Sequence, residues 1–253
     1  MRNKKHQNCV ILHIPHSSTN IPKWYYDKCL LSRTDLNVFN KQCVDLYTDK
    51  LFNVSGCAKI LFKYSRIVCD VEKYCDDEKE VASRYGLGYV YTLDYDGNDL
   101  IKATDKYKNM IYRNYYKPYH DHASDVIYKV SKKSNTVIIL DCHSFSNAVP
   151  YINSNDDVDI CIGYNDSFSS DILNNFTYEF FSNKGYNCKI NQPFSGSYIP
   201  NMLYSEKIEN IFSIMLEINK TLYLENNKKS KSYKKVKKDI LEYVNKVKTL
   251  SLN

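Results

Sequence analysis

Val10-Ile11-Leu12-His13-Ile14-Pro15-His16-Ser17-Ser18 is an apolar run that stops abruptly on a histidine and hydroxyls. Far downstream, Val137-Ile138-Ile139-Leu140-Asp141-Cys142-His143-Ser144 does the same. Short, nearly continuous apolar runs read as strands buried on both faces. Open α/β sheets build their sites at the carboxyl ends of such strands. Both runs deliver a His-Ser pair there, and the chain has only six histidines. Neutral imidazole is the commonest metal ligand, so a shared metal is the first chemistry to weigh. Two core histidines satisfied by backbone groups are the alternative.

Working outward, Ser32-x-x-Asp35 can cap a helix through Leu36, Phe39, Cys43, Leu46, Tyr47 and Leu51, with Asp45 in its middle and Gly56 past its end. Residues 58–64 read as a second strand, and residues 74–80 as an acidic loop. Tyr89 to Leu93, among Gly86, Gly88 and Gly97, read as a hairpin or lid-like excursion. Residues 101–133 have helical spacing, interrupted by Pro118. Further strands are expected at 159–164, 188–190 and 211–218, and helices at 169–185 and from Lys234 onward. Strands alternating with helices imply an α/β architecture around a mostly parallel or mixed sheet. The expected organisation is one domain over 1–253, with a core over 9–224 and a basic amphipathic C-terminal helix over 225–253.

Composition narrows the function. No run approaches the roughly 18 apolar residues of a membrane span, and the basic N-terminus lacks a secretory pattern. Nine cysteines without C-x-x-C spacing read as reduced thiols in a cytoplasm. The net charge of +6 is local: residues 226–253 carry nine lysines against Asp239 and Glu242, leaving the remainder near −1. Such a run is expected to be a solvated helix face. There is no G-x-G-x-x-G, Walker-type loop or G-x-S-x-G elbow, which argues against nucleotide binding and serine hydrolase chemistry.

A catalytic zinc needs three protein ligands and an open position. Asp45 is the candidate to join His16 and His143, with a solvated helix residue as its alternative. Glu217 lies inside Phe212-Ser-Ile-Met-Leu-Glu217-Ile218. A carboxylate in a buried strand costs several kcal/mol unless paired or neutralised, so it belongs to a structural ion pair or to a site. Desolvation would raise its pKa, as suits a general base. Arg66 can grip a carboxylate or pair with nearby Asp70. His120 can polarise a carbonyl or hold an oxyanion, and His122 reads as a surface residue. His6 and His13 read as structural. Cys142 points away from His143 if the strand continues.

Together, His13-Ile-Pro-His16-Ser, Val44-Asp45-Leu-Tyr47, Ser65-Arg66-Ile-Val-Cys-Asp70, Gly86-Leu-Gly88-Tyr-Val-Tyr-Thr92, Tyr116-Lys-Pro118-Tyr-His120, Leu140-Asp141-Cys-His143-Ser144, Asp159-Ile-Cys-Ile-Gly163, Pro193-Phe-Ser-Gly196 and Leu216-Glu217-Ile-Asn219-Lys220 resemble the N-formylglutamate amidohydrolase family, in its order, over roughly residues 9–224. The resemblance implies a three-layer α/β/α sandwich with a central mixed sheet, like zinc exopeptidases. It implies zinc on His16, Asp45 and His143, with Glu217 as base and His120 at the oxyanion. Arg66, Asp70, Ser144 and Gly196 fall on its substrate side. The implied reaction is hydrolysis of an N-formyl amino acid to formate and L-glutamate, in histidine degradation. Where the family often carries arginine, this chain has Lys73 and Lys220. Lysine keeps the charge but loses the fork, which leaves the substrate's amino acid open.

Two other readings compete. One is a carboxypeptidase-like hydrolase acting on a different peptide or N-acyl amino acid. The other is a non-catalytic binding protein whose basic tail meets nucleic acid or another anionic partner. The tail has one tyrosine, Tyr233, beside its basic cluster and lacks an RNA-binding signature, which weighs against the latter.

Overall fold

The computed structural model of the chain describes residues 8–146, 157–200, 203 and 210–252. His6 lies outside them. Six strands form one sheet: β1 Cys9–Ile14, β2 Ala58–Leu61, β3 Val137–Phe145, β4 Ile160–Gly163, β5 Cys188–Ile190 and β6 Ile211–Asn219. Their order is β2-β1-β3-β6-β4-β5. β2, β1, β3 and β6 run parallel, β4 is antiparallel to β6, and β5 is parallel to β4. The sheet is therefore mixed, as expected, with the apolar runs as its central strands. All nine residues of β3 are buried.

Helices cover both faces, which accounts for that burial. They are α1 Lys23–Tyr26, α2 Arg33–Cys43, α3 Thr48–Leu51, α4 Asp105–Ile111, α5 Lys117–Ser131, α6 Asp171–Ser182 and α7 Tyr233–Val247. Alternation along the strands sorts the core. Val10, Leu12, Leu140 and Cys142 face a cluster with α3, α6 and α7, whereas Ile11, Val137 and Ile139 face one with α4 and α5. Cys142 thus lies on the opposite face from Asp141 and His143, as the alternation requires.

Three local expectations change. The helix through Leu51 breaks at Val44, which turns extended (φ −78°, ψ 151°), and Tyr47 adopts a left-handed φ of 66° before α3. Asp45 thus lies between helices and not within one. Pro118 does not end the helix: a π turn over Tyr112–Tyr116, just before the proline, joins α4 to α5, so the helical run departs from α geometry there and continues. The excursion around Gly86–Gly97 is packed down, with Leu87, Tyr91, Leu100 and Ile101 in a cluster with Leu36 and Phe39 of α2. Gly86 enables it, because at φ +73° a Cβ would lie 2.6 Å from Leu93. The basic C-terminal stretch forms the expected amphipathic helix. A short hairpin, β7 Leu224–Glu225 and β8 Lys228–Lys229, leads into α7, whose Val236, Ile240, Tyr243, Val244 and Val247 are buried in the core while Lys234, Lys235 and Lys238 face solvent.

Candidate functional site

The sheet's strand ends gather the candidate residues. His13 pairs with Asp141 in the β1–β3 register, and His143 pairs with Glu217 in the β3–β6 register. Alternation puts His13, Asp141 and His143 on one face. His16 follows β1 by two residues, and its backbone carbonyl accepts the Asp45 N–H at 2.8 Å. The Asp45 carbonyl in turn accepts both the Thr48 N–H and hydroxyl. The break in the helix is thus what presents Asp45 to the histidines.

His16, Asp45 and His143 converge, all three buried, with one donor atom each inside 4.8 Å of the others. His143 Nδ1 is 3.1 Å from Asp45 Oδ2, and His16 Nδ1 is 3.9 Å from it. Two donors on a tetrahedral zinc at 2.0–2.1 Å stand roughly 3.3 Å apart, so this spacing suits an ion. The far nitrogen of each ring meets a buried carboxylate: His16 Nε2 is 2.9 Å from Asp70 Oδ1, and His143 Nε2 is 2.8 Å from Asp141 Oδ1. Metal-ligating histidines are commonly oriented this way. His16 Nδ1 is buried and makes no hydrogen bond among the described residues, which leaves its lone pair available to a metal ion. The donor set fits zinc.

Glu217 is buried, and its Oε2 has no hydrogen-bond partner among the described residues. Burial, reinforced by the Asp45 and Glu72 charges, pushes its pKa up to about 8 against the opposing pull of His143 and Arg66. Asp45 goes the other way: burial would raise it, but the His143 hydrogen bond and charge bring it below its ordinary value. His120, in the first turn of α5, packs at a tilt of 46° against Tyr116, 4.3 Å between centroids, and its Nε2 has no hydrogen-bond partner among the described residues; burial lowers its pKa, opposed by a hydrogen bond to the Val71 backbone.

These groups line a cavity of about 460 Å³, with Arg66, Ser144, Gly196 and Lys220 also on its wall. Asp70, expected on the substrate side, is not on that wall. It is fully buried behind His16, where its oxygens meet His16, Arg66 Nε and Nη2, and the Tyr91 hydroxyl. Arg66 is thereby committed to Asp70, which more than offsets the weakening of its charge by burial. Gly196 reaches the cavity, but its N–H is spent on Asn191 Oδ1 at 3.2 Å. A Cβ on Gly163 would come within 2.2 Å of the Gly196 carbonyl, so the absence of a side chain there admits the loop.

Three residues were missed. His13, read as structural, forms with Glu72, Asp141 and His143 a second group of potential donors. Asp141 carries the same signal as Glu217, a carboxylate inside a buried apolar strand, and that signal could have found it. Glu72 has no such signal. The loop after β2 brings its oxygens to 3.3 Å from His16 Nδ1 and 3.2 Å from His143 Nε2.

A family model described as N-formylglutamate amidohydrolase matches residues 8–224. Among solved structures, N-formylglutamate amidohydrolase from Ralstonia eutropha JMP134 is similar with a TM-score of 0.77 and 16% identity, over 96% of this chain and 94% of that one. The gene product Atu2144 from Agrobacterium tumefaciens is similar with a TM-score of 0.68 and 16% identity, over 96% of this chain and 92% of that one. At such identity these likenesses establish the fold alone. No curated protein matches the sequence. The family match spans every candidate residue from His16 to Glu217, and the chain belongs to the N-formylglutamate amidohydrolase family.

Proposed function

We propose that the protein is a zinc-dependent amidohydrolase that releases formate from N-formyl-L-glutamate or a closely related N-acyl amino acid. The observation that carries this reading is the convergence of His16, Asp45 and His143 beside a buried Glu217 whose Oε2 has no hydrogen-bond partner among the described residues. Zinc held by that trio would supply Lewis acidity to the attacking water and the amide carbonyl. Glu217, whose environment favours holding a proton, takes one from the water and returns it to the departing nitrogen. Burial weakens the hold of His120 on a second proton. Negative charge developing beside it strengthens its hold on a proton, which suits it to the tetrahedral oxygen and not to the resting amide.

The substrate's carboxylate is assigned to Lys220 and Arg66. Lys220 hydrogen-bonds the Gln42 carbonyl at 3.2 Å from the cavity wall. Arg66 approaches with its charge already shared with Asp70, and Lys73 lies 3.5 Å from Glu80. Asp70 is assigned to holding His16 and Arg66, and Ser144 to the cavity wall. With two cations partly engaged, an N-acyl amino acid with a single carboxylate is the second reading. Glutamate as product would place the reaction in histidine degradation. Nine free cysteines support a reducing, cytoplasmic setting, and no helix among the described residues is long and apolar enough to cross a membrane.

The test is formate release from N-formyl-L-glutamate by zinc-loaded and chelator-stripped protein. Zinc-dependent release is the expected result. No release from protein holding one equivalent of zinc would discard this substrate and send the search to other N-acyl amino acids and dipeptides.

A further inference from the structure

His143 stands between two sets of groups, one on each ring nitrogen. On the Nδ1 side lie Asp45 and His16. On the Nε2 side lie Glu72, at 3.2 Å, and Asp141, which is closer. Asp141 Oδ1 is 2.8 Å from His143 Nε2 and 2.7 Å from His13 Nδ1. These are hydrogen-bond lengths, shorter than the roughly 3.3 Å between two donors sharing a tetrahedral ion.

We propose that Asp141 is a positioning residue: backed by His13 and Tyr119, it holds the proton of His143 on Nε2 and turns Nδ1 toward Asp45 and His16. The group of His13, Glu72, Asp141 and His143 is then a scaffold for one metal site and not a second site. The inference rests on the reading of His16, Asp45 and His143 as zinc ligands.

Donors and acceptors balance throughout this chain. The Tyr119 hydroxyl lies 2.5 Å from His13 Nε2 and donates to it. That leaves the His13 proton on Nδ1, donated to Asp141 Oδ1, which also accepts from His143 Nε2. Asp141 Oδ2 accepts the Tyr198 backbone N–H at 2.8 Å. With three N–H donors already on it, the carboxylate is poorly placed to serve a cation as well. The Tyr198 ring stacks on His13 at 3.7 Å between centroids and 13° between planes, which fixes the ring that fixes Asp141. Asp141 therefore ties the histidine on β3 to the loop that forms the opposite cavity wall. A carboxylate on the far nitrogen also makes a ligating imidazole more basic, and losing such a partner typically costs tenfold to a hundredfold in metal affinity.

The test is zinc affinity and stoichiometry by chelator competition, on the full chain and on Asp141→Asn and Tyr119→Phe. The expected result is one equivalent in all three, with affinity about 10–100-fold weaker in Asp141→Asn and less than tenfold weaker in Tyr119→Phe. Loading with cobalt(II) adds a readout that general destabilisation would not move: the visible bands of Asp141→Asn should shift from those of the unaltered protein. If Asp141→Asn does not fold, Tyr119→Phe, which removes one hydroxyl, decides by the same two measurements. Unchanged affinity and unchanged bands in the folded variants would overturn the proposal. So would two equivalents of zinc in the unaltered protein with one lost in Asp141→Asn, which would make the group a second metal site. An unaltered protein that takes up no zinc would fail the ligand reading itself, a distinguishable result that removes this inference with it.

Discussion

Asp141 on β3 and Glu217 on β6 are buried carboxylates on adjoining parallel strands, yet the protein holds them in opposite states. Asp141 accepts from His13, His143 and the Tyr198 backbone; burial alone would raise its pKa, but the two histidines bring it well below the usual carboxylate range. Glu217 has an oxygen with no partner among the described residues, and burial pushes its pKa up to about 8. Depth does not separate the two. The number of donors aimed at each does, and that number decides which carboxylate anchors a structure and which is free to exchange a proton.

The comparison can be broken at either end. Asp141→Leu leaves two buried rings without their acceptor and should cost about 3–5 kcal/mol of stability in zinc-free protein, read by urea unfolding; a cost below about 1 kcal/mol would remove the contrast. Glu217→Gln should fold and keep zinc but lose on the order of a hundredfold in kcat, about 2.7 kcal/mol at the transition state. Full turnover in formate release would end its role as base. Titration sharpens the contrast. Glu217 ionises near 4.5 when unfolded and about 8 when folded, so it contributes stability below pH 4.5 that is lost as pH rises to about 8. Asp141, depressed in the fold, contributes stability above its ordinary 3.8 that is lost as pH falls below it. Urea unfolding of zinc-free protein should show the first trend, at most about 1.4 kcal/mol per pH unit, flattened in Glu217→Gln. An unchanged slope in that variant would assign the trend elsewhere. The smallest effect is expected at Asp70, which accepts from still more donors than Asp141. Tyr91→Phe removes one of several and should cost about 1 kcal/mol, by the same unfolding measurement.

The same contrast separates what the sequence discloses from what it hides. β1, β3 and β6 were legible because strands buried on both faces must be apolar throughout, and His16, His143 and Glu217 stand out against that background. Asp45 was placed on a helix because Leu46, Tyr47 and Leu51 continue the helical spacing. Nothing in those apolar residues announces that Val44 turns extended and Tyr47 left-handed. His13 looked structural because a histidine inside a strand carries no sign of which acceptor lies across the sheet. Glu72 owes its place to the path of the loop after β2, a tertiary outcome with no local periodicity. The lysines of α7 were rightly read as a solvated face, but net charge concealed how firmly the opposite face is packed.

That packing has a consequence for the order of assembly. Asn8, at the threshold of β1, bonds the Val247 and Leu250 carbonyls through its side chain and the Lys248 carbonyl through its backbone, each at 2.8 Å. The strand that carries His13 and leads to His16 is therefore clamped by the end of α7 and the residues that follow it. The contacts join residues 239 and 242 positions apart, so β1 and the two histidines at its end are held in place only once α7 has docked.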